Sequence, residues 1–345
     1  MGVGTIRGRI IGDDNLFDDE TLGAGWAWDY LADAYATGVG ALQFNENIVS
    51  VTMAPAQAVG GAAVISVAPA GSGLAIRNMV KTAAAGTAAS IATRRLPGSA
   101  QLELRGSVPL GGAPSIHNVS VDNPTLFFVN VLRETLIAHG IDVKGPAVDI
   151  DDLTDPPSRD YATLLASYRS PPLSALATRM MKVSQNVYAE TLLKTMGAVG
   201  ETSTAAAGRE AVRATVQPWG VSPTGLVMID GSGLSRYNLV TPETIVTILT
   251  HVDSDQRLRG PFEDALPLGG RDGTLAGRLK GTPAENNARA KTGSLSNARA
   301  LSGYVKSADG ERIVFSLLAN NFETAPDVID TTADAIVVRL AQFRR

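Results

Sequence analysis

A short run near the C-terminus, Lys291-Thr292-Gly293, places a lysine, a hydroxyl and a glycine side by side. Further hydroxyls follow at Ser294 and Ser296, and an alternating apolar run starts at Ala300. This pattern predicts a strand that begins with a cation, and the glycine would allow a ligand or a second backbone to lie against it. Taken alone, three such common residues fit equally well a strand edge with a solvated lysine.

Three further segments carry polar side chains at positions where a predicted helix or strand should end. Ser184-Gln185-Asn186 interrupts two helical patterns and offers a hydroxyl and an amide near Lys182, although Ser184 could simply cap the following helix. Two glycine-rich loops, residues 230–238 and 266–275, could be plain turns or, for the first, the rim of a pocket. The second loop is not a phosphate cradle, because neither the Walker spacing nor Gly-x-Gly-x-x-Gly is present.

Composition excludes several classes of function. The 345 residues are 44% hydrophobic with a formal net charge of -4, which is typical of an ordinary globular chain and argues against nucleic acid as the main partner. Cysteine is absent, which excludes thiol nucleophiles, disulfides and cysteine metal sites. The three histidines lack a ligand spacing, so we predict neither a metal nor an organic cofactor. No apolar run reaches about 18 residues, so no transmembrane segment is predicted.

The elements that must position these segments change character along the chain. Residues 1–155 are rich in alternating strand patterns, and Asn123-Pro124 predicts a helix start with a stop near Gly140. Residues 156–345 mix helices with consecutive strands, and the acidic, proline-bearing segment 151–157 is the candidate linker. We therefore predict an α+β chain with two regions, 1–155 and 156–345. Predicted strands lie at 5–11, 48–53, 63–67, 91–95, 101–108, 225–230, 288–293, 300–306 and 312–320, and further predicted helices at 171–181, 186–196, 204–219 and 326–343.

Taken in this order, the segments resemble the penicillin-binding proteins and β-lactamases, in which Ser-x-Asn precedes Lys-Thr-Gly. The strings at 184–194, 230–238 and 291–296 are most similar to class C penicillin-binding proteins, the D-alanyl-D-alanine carboxypeptidases/endopeptidases of the S13 peptidase family. Segments 6–8, 13–17, 25–29 and 45–47 resemble the inserted accessory domains of that family. The resemblance implies a strand-rich accessory region followed by the C-terminal part of a β-lactamase/transpeptidase-like domain.

The resemblance also implies a chemistry, namely acyl transfer from the D-Ala-D-Ala end of a peptidoglycan stem peptide to a serine, followed by hydrolysis. Lys291 would supply positive potential and, with Ser184, relay a proton towards the leaving amine. Asn186 would hold the substrate amide and orient the active-site lysine. The same resemblance implies β-lactam inhibitors as ligands and a location in the periplasm or on the outer face of the cell membrane.

Substrate-binding roles are carried over in the same way. Thr292 would bind the substrate's C-terminal carboxylate, Gly293 would let the substrate backbone lie along the strand, and the Ser294 N–H would be one oxyanion-hole donor. A side pocket for the dibasic or diamino-diacid residue of the stem would be lined by Trp26, Asp29, Leu234, Arg236 and Leu295. The aspartate suits an ammonium group there.

One part of the family pattern is missing, since no serine in this sequence has a lysine three residues later. The family's nucleophile and general base belong to that Ser-x-x-Lys motif, and we expect it, with a signal peptide, to precede Met1. The leading hypothesis is an N-terminally truncated carboxypeptidase/endopeptidase. The alternative is a catalytically inactive relative that binds peptidoglycan or a partner. An unrelated serine hydrolase is disfavoured because Gly-x-Ser-x-Gly is absent.

Overall fold

A computed structural model describes residues 2–198 and 203–345. The chain divides into two compact units, one formed by Met1–Ala166 with Ala198–Thr204 and the other by Ser167–Gly197 with Ala205–Arg345. Strands dominate the first unit, whereas helices surround an antiparallel sheet in the second. The division at 155/156 stays a prediction. Within the described ranges, no helix combines the length and the apolar character needed to cross a bilayer.

The first unit contains two three-stranded sheets. Its elements are β1 Thr5–Ile6, β2 Ile10–Gly12, β3 Ile48–Ala54, β4 Val64–Ala68, β5 Ala75–Ala83, β6 Ser90–Arg94, β7 Gln101–Pro109, β8 Ser115–Ser120, α1 Pro124–Ala138, β9 Asp142–Val143 and β10 Ala147–Asp149. Strand β3 lies between β4 and β8 in antiparallel order, and β7 lies between β5, to which it is parallel, and β6. Short parallel pairs join β1 to β9 and β2 to β10.

Alternation of apolar residues explains these sheets. Val49, Val51 and Met53 of β3 all point to one face, because successive strand side chains alternate sides, and all three are fully buried. They join Leu102 of β7 and Phe127 of α1 in one core. Each such side chain contributes about 1.5–3 kcal/mol when it is buried. The strands predicted at 48–53 and 101–108 are thereby confirmed.

The predicted boundaries of α1 hold because its ends are capped as the sequence indicates. The Asn123 side chain accepts a hydrogen bond of 2.7 Å from the Leu126 N–H, and Pro124 occupies the first turn. Gly140 follows the helix with φ +83°, a conformation that suits glycine after a C-cap.

The single strand predicted at 5–11 is wrong. The chain forms β1 and β2 there, and each pairs with a different partner, so the pattern is interrupted around Gly8. The Gly8 carbonyl oxygen lies so close to Gly145 that a Cβ on Gly145 would stand 2.2 Å from it. The alternating residues therefore predicted extended backbone correctly but not the change of partner.

The second unit combines helices with a three-stranded sheet. Its elements are α2 Leu173–Val183, α3 Asn186–Met196, α4 Ala205–Val216, β11 Leu226–Val227, β12 Leu239–Val240, α5 Pro242–Ser254, α6 Gln256–Ala265, β13 Arg289–Leu295, β14 Ala298–Lys306, β15 Arg312–Asn320 and α7 Pro326–Gln342. The sheet has the antiparallel order β13-β14-β15. Helix α7 packs against β14 and α5 against β15, and the buried core of this unit includes Leu275, Leu301, Phe315 and Val337.

The strand predicted at 225–230 is also wrong in its second half, because the observed strand β11 covers only Leu226–Val227. The N–H groups of Ile229 and Asp230 are directed at the Asn238 Oδ1 atom, at 2.8 and 3.4 Å, and not at a neighbouring strand. A side chain nine residues away thus replaces the ladder and turns the segment into a loop. Helices α5 and α6 were not predicted, although Thr241-Pro242 is a helix start and the Thr241 hydroxyl accepts from the Thr244 N–H at 3.1 Å.

Candidate functional site

The junction between α2 and α3 places Ser184 in an unusual backbone conformation. Ser184 has φ +59° and ψ +49°, the left-handed region, and its N–H closes the last turn of α2 on the Met180 carbonyl. The N-cap of α3 is Gln185, whose side chain makes no capping hydrogen bond. The interpretation of Ser184 as a cap of α3 is therefore wrong. Non-glycine residues in this region cost about 1–2 kcal/mol, and such strain concentrates at functional sites.

Strand β13 brings Lys291 to this serine. The Lys291 Nζ donates to the Ser184 Oγ at 2.7 Å and to the Thr292 carbonyl oxygen at 2.6 Å. Burial lowers the pKa of Lys291 to about 8, so the ammonium form still dominates at pH 7. Burial is the one cause of this shift, and within the described residues no carboxylate forms an ion pair with Lys291. Two residues 107 positions apart, both predicted from the sequence, thus meet directly.

The other predicted residues of β13 follow in register. The Thr292 hydroxyl donates to the Thr274 hydroxyl at 2.8 Å. Gly293 pairs with Ala300, whose Cβ would lie 3.2 Å from a Cβ at Gly293, so a larger residue would be crowded there. Ser294 is exposed on the same strand.

Residues 230–238 form a tightly bonded loop beside α3. The buried Asp230 carboxylate accepts hydrogen bonds from the N–H groups of Gly233 at 2.9 Å and Ser235 at 2.6 Å. The Glu190 carboxylate of α3 accepts from the N–H groups of Gly231 at 3.0 Å and Ser232 at 2.7 Å. Burial first, and then the nearby Asp230, raises the pKa of Glu190. The loop conformation is therefore set by two buried carboxylates.

Sequence reasoning gave Glu190 no role, although a signal was present. Asn186, Glu190 and Lys194 follow at intervals of four and so share one face of α3. Glu190 and Lys194 are 6% and 3% exposed. Charged residues at such spacing within an apolar helix indicate a buried polar network. Asn186 itself opens α3 and is half-buried.

The 230–238 loop carries two residues of the predicted side pocket. Leu234 is buried at 4% exposure, and Arg236 is exposed. The Arg236 guanidinium donates to the Asn297 Oδ1 at 2.9 Å, in the turn that follows Leu295. This hydrogen bond joins the loop to the end of β13. Three of the five predicted pocket residues, Leu234, Arg236 and Leu295, therefore lie on two segments that contact each other.

Trp26 and Asp29, the other two, belong to the first unit. The Trp26 indole lies against Gly23, where a Cβ would stand 2.2 Å from its Nε1 atom. Asp29 is exposed in a single turn of 3₁₀ helix, Trp28–Tyr30. The pocket that would unite all five residues stays a prediction.

The glycine-rich segment 266–275, which we call the Asp272 loop, is held between α2 and β13. The Lys182 Nζ donates to both carboxylate oxygens of Asp272, at 2.7 and 2.8 Å. The Leu268 N–H donates to the same carboxylate at 2.9 Å, and the Gly269 N–H donates to the Ala288 carbonyl at 2.8 Å. Lys182 therefore stabilises the Asp272 loop, and contacts on two sides hold this loop in place, so it is not a plain turn.

An acidic cluster in the first unit had no counterpart in the sequence analysis. Carboxylate oxygens of Asp14, Asp149 and Asp151 lie within 4.8 Å of one another. Thr125 donates a hydrogen bond to Asp14, and the Asn123 Nδ2 donates to Asp149 at 2.8 Å. Burial, followed by the neighbouring carboxylates, raises the pKa of Asp151 to about 6. These internal hydrogen bonds give two of the three acids a structural role.

The model of the D-Ala-D-Ala carboxypeptidase 3 (S13) family matches residues 1–343. The chain belongs to the S13 family. The resemblance drawn from Ser184-x-Asn186 and Lys291-Thr292-Gly293 is thereby confirmed at the level of the family.

Matches to curated relatives extend over nearly all of this chain. The D-alanyl-D-alanine carboxypeptidase of Actinomadura sp. (strain R39) is 35% identical, and the match covers 99% of this chain and 64% of the relative. The D-alanyl-D-alanine carboxypeptidase DacB of Haemophilus influenzae is 27% identical, with 100% of this chain and 71% of the relative covered. The chain therefore spans about two thirds of the length of these relatives.

A solved structure has the same fold. The crystal structure of penicillin binding protein 4 (dacB) from H. influenzae matches with a TM-score of 0.83 at 24% identity, over 99% of this chain and 76% of that one. A crystal structure of the same H. influenzae protein complexed with a β-lactam matches with a TM-score of 0.77 at 23% identity. The predicted α+β class and transpeptidase-like architecture of this S13 chain are thereby confirmed.

Proposed function

We propose that this chain belongs to a serine-type D-Ala-D-Ala carboxypeptidase/endopeptidase and forms the substrate-binding wall of its acyl-transfer site. The observation that carries the proposal is the 2.7 Å contact between the Lys291 Nζ and the Ser184 Oγ, with the Thr292 hydroxyl next along the strand. This arrangement combines a cation, a proton-relaying hydroxyl and an anion-binding hydroxyl. The substrate is a peptidoglycan stem peptide that ends in D-Ala-D-Ala.

The reaction assigns the Ser184 hydroxyl a relay role. A serine oxygen attacks the carbonyl carbon between the two D-Ala residues, the C–N bond breaks, and the leaving amine takes a proton. Ser184 accepts a hydrogen bond from Lys291 and still has its own proton to donate to that amine. The half-buried Lys291 ammonium also favours negative charge in the cleft. Water then hydrolyses the acyl-enzyme.

Binding and orientation fall to the rest of β13 and its neighbours. Thr292 donates to the terminal carboxylate of the substrate, and Gly293 lets the peptide backbone lie close to the strand. The Ser294 N–H serves as one oxyanion-hole donor, a contribution of about 3 kcal/mol to the transition state. Asn186 holds the substrate amide from the start of α3.

The side chain of the stem residue lies against Leu234 and Leu295, which contact its aliphatic part, and Arg236 lies at the rim. The Arg236–Asn297 hydrogen bond of 2.9 Å supports this assignment, because it fixes the guanidinium beside the end of β13. A diamino-diacid residue offers its side-chain carboxylate to Arg236, whereas a dibasic residue has no such carboxylate.

β-Lactams mimic the scissile amide, and the related H. influenzae protein has been crystallised with one. We infer that they occupy the same cleft. The substrate class also indicates the compartment, since peptidoglycan lies in the periplasm or on the outer face of the cell membrane.

Acylation further requires a nucleophile, and this sequence contains no Ser-x-x-Lys. That absence also favours a second candidate, a family member that binds peptidoglycan or a partner without chemistry. Sequencing the coding DNA upstream of Met1 separates the two, because an in-frame Ser-x-x-Lys supports the enzyme and stop codons support the binding protein.

A fluorescent penicillin tests the enzymatic proposal on the protein. We expect the 345-residue chain to take no covalent label, and a chain extended through an in-frame Ser-x-x-Lys to be labelled. Excess unlabelled penicillin should block that labelling, and Ser-x-x-Lys→Ala-x-x-Lys in the extended chain should abolish it. Labelling of the 345-residue chain, or no labelling of the extended one, would contradict the proposal.

A further inference from the structure

The Asp272 loop ends beside the strand that binds substrate in the proposed function. Its position is fixed from the α2 side by the Lys182–Asp272 ion pair and by Gly273, where a Cβ would stand 2.5 Å from the Lys182 carbonyl oxygen. From the β13 side, the Ala290 N–H donates to the Pro267 carbonyl at 3.0 Å. The loop cannot shift without breaking one of these contacts.

Thr274 is the exposed residue at the end of this rigid loop. Its neighbour Leu275 is completely buried and serves the core, whereas the Thr274 side chain contacts solvent. Within the part of the chain that the structure describes, the hydrogen-bond partner of the Thr274 hydroxyl is the Thr292 hydroxyl, at 2.8 Å. Packing therefore does not explain a hydroxyl at this position.

The hydroxyl pair retains hydrogen-bonding capacity for a ligand. Each hydroxyl has one proton to donate and two lone pairs, and the bond between them uses one proton. Whichever hydroxyl donates internally, the other proton is available to an anion. The adjacent Lys291 lowers the energy of negative charge at this end of β13. When the bond between them breaks on binding, both protons become available, and two hydroxyls on separate segments then match the two oxygens of one carboxylate.

We propose that Thr274 is a second hydroxyl of the site that binds the substrate's C-terminal carboxylate, and that the Lys182–Asp272 pair positions it. This inference rests on the proposed function, because it concerns the same carboxylate that Thr292 binds. It adds a contact from outside β13 and gives the Asp272 loop a role in recognising the free chain end.

Calorimetric titration of the full 345-residue chain with two peptides tests this role. One peptide ends in D-Ala-D-Ala with a free carboxylate, and the other is its C-terminal carboxamide. We expect Thr274→Val to weaken binding of the acid about tenfold, as for a hydrogen bond to a charged group, and to leave binding of the amide unchanged. Thr274→Ser should stay within about twofold of the wild type, because it restores the hydroxyl.

Positioning by Asp272 is measured in the same titration. Asp272→Asn should weaken acid binding by less than Thr274→Val, since the threonine remains but its loop is loosened. The matched control is Thr215→Val, which removes a hydroxyl bonded at 2.8 Å to the Ala211 carbonyl of its own helix. That variant should bind both peptides as the wild type does.

The outcomes separate the two proposals. If the wild type prefers the acid and Thr274→Val binds it within about twofold of the wild type, the role of Thr274 is overturned and the proposed function stands. Equal losses for acid and amide, or the same loss in Thr215→Val, also overturn it, because they indicate a general structural effect. If the wild type binds neither peptide, or binds both equally, the proposed function fails and this inference with it.

Discussion

Lys182 and Lys291 both reach the junction between α2 and α3, but their ammonium groups meet different partners. The Lys182 Nζ donates to both oxygens of the Asp272 carboxylate, at 2.7 and 2.8 Å. The Lys291 Nζ donates to a hydroxyl, that of Ser184, and to one backbone carbonyl oxygen. Among residues 2–198 and 203–345, a carboxylate neutralises the first cation and none neutralises the second.

The pKa values follow this difference. Burial acts to raise the pKa of Asp272, but hydrogen bonds from Lys182 and from the Leu268 N–H hold it below its ordinary value. Burial alone lowers the pKa of Lys291 to about 8. A buried cation without a carboxylate costs folding free energy, whereas a paired one stabilises the segment it joins. Lys182 therefore maintains the loop, and the charge of Lys291 is available to a ligand.

The largest expected effect comes from removing each charge in turn. Lys291→Met should weaken binding of the D-Ala-D-Ala acid peptide about 100-fold, the upper range for hydrogen bonds to charged groups. It should not lower the melting temperature, because an uncompensated buried charge is removed. Lys182→Met should do the reverse and cost about 1 kcal/mol of unfolding free energy, since Asp272 is 40% exposed and solvent compensates for part of the loss.

Calorimetric titration and thermal unfolding measure the two effects on the same samples. Lys280→Met is the matched control, because that lysine is exposed, and it should change neither quantity. A Lys291→Met chain that binds the acid normally but melts lower than Lys182→Met would reverse the assignment of the two lysines.

A second, smaller effect is the dependence of binding on pH. The folded pKa of Lys291 is about 8 against an ordinary value of 10.5, so the ammonium is lost as pH rises through 8. Affinity for the acid peptide should fall about tenfold between pH 7 and pH 9, in proportion to the protonated fraction. The free energy of unfolding should instead rise between pH 8 and 10.5, because in that range the unfolded chain binds more protons than the folded chain.

The same titration in Lys291→Met identifies the group responsible. In that variant, acid binding should be weak and independent of pH from 7 to 9. An equal fall in the wild type and in the variant would assign the pH dependence to another group. In the wild type the carboxamide peptide should show a smaller fall than the acid, because its C-terminus carries no negative charge, and in Lys291→Met it should show none.

Local patterns predicted the elements that carry these lysines. The apolar spacing placed α3 at 186–196, as the structure has it, and alternation placed β13 within two residues of its observed end. These signals arise from burial of one face of each element, which a single sequence records. The assignment of roles to Ser184, Asn186 and Lys291, in contrast, came from a family resemblance and not from periodicity.

The partner of Lys182 could not be predicted. Asp272 follows Lys182 by 90 residues and lies in a glycine-rich loop with no regular pattern, so only the tertiary fold brings them together. The same holds for Thr274, which is 18 residues from Thr292. Nor did the sequence indicate a left-handed backbone at Ser184, because glycine or asparagine is usual there.

The smallest expected effect concerns the backbone of Ser184. This residue, whose hydroxyl accepts from Lys291, has a left-handed conformation, whereas Lys182 lies in regular helix. Ser184→Ala and Ser184→Gly both remove the hydroxyl, so their difference reports the backbone alone. With φ +59°, the glycine variant should be more stable than the alanine variant by about 1 kcal/mol.

Chemical denaturation measures this difference, and Thr178 in the middle of α2 provides the matched control. There the order should be reversed, with Thr178→Gly less stable than Thr178→Ala by about 1 kcal/mol, as in any helix interior. Both Ser184 variants should bind the acid peptide more weakly than the wild type, because Lys291 loses the acceptor that orients it. If alanine is as stable as glycine at position 184, the left-handed backbone is not retained in solution. The strain would then not distinguish the site of Lys291 from that of Lys182.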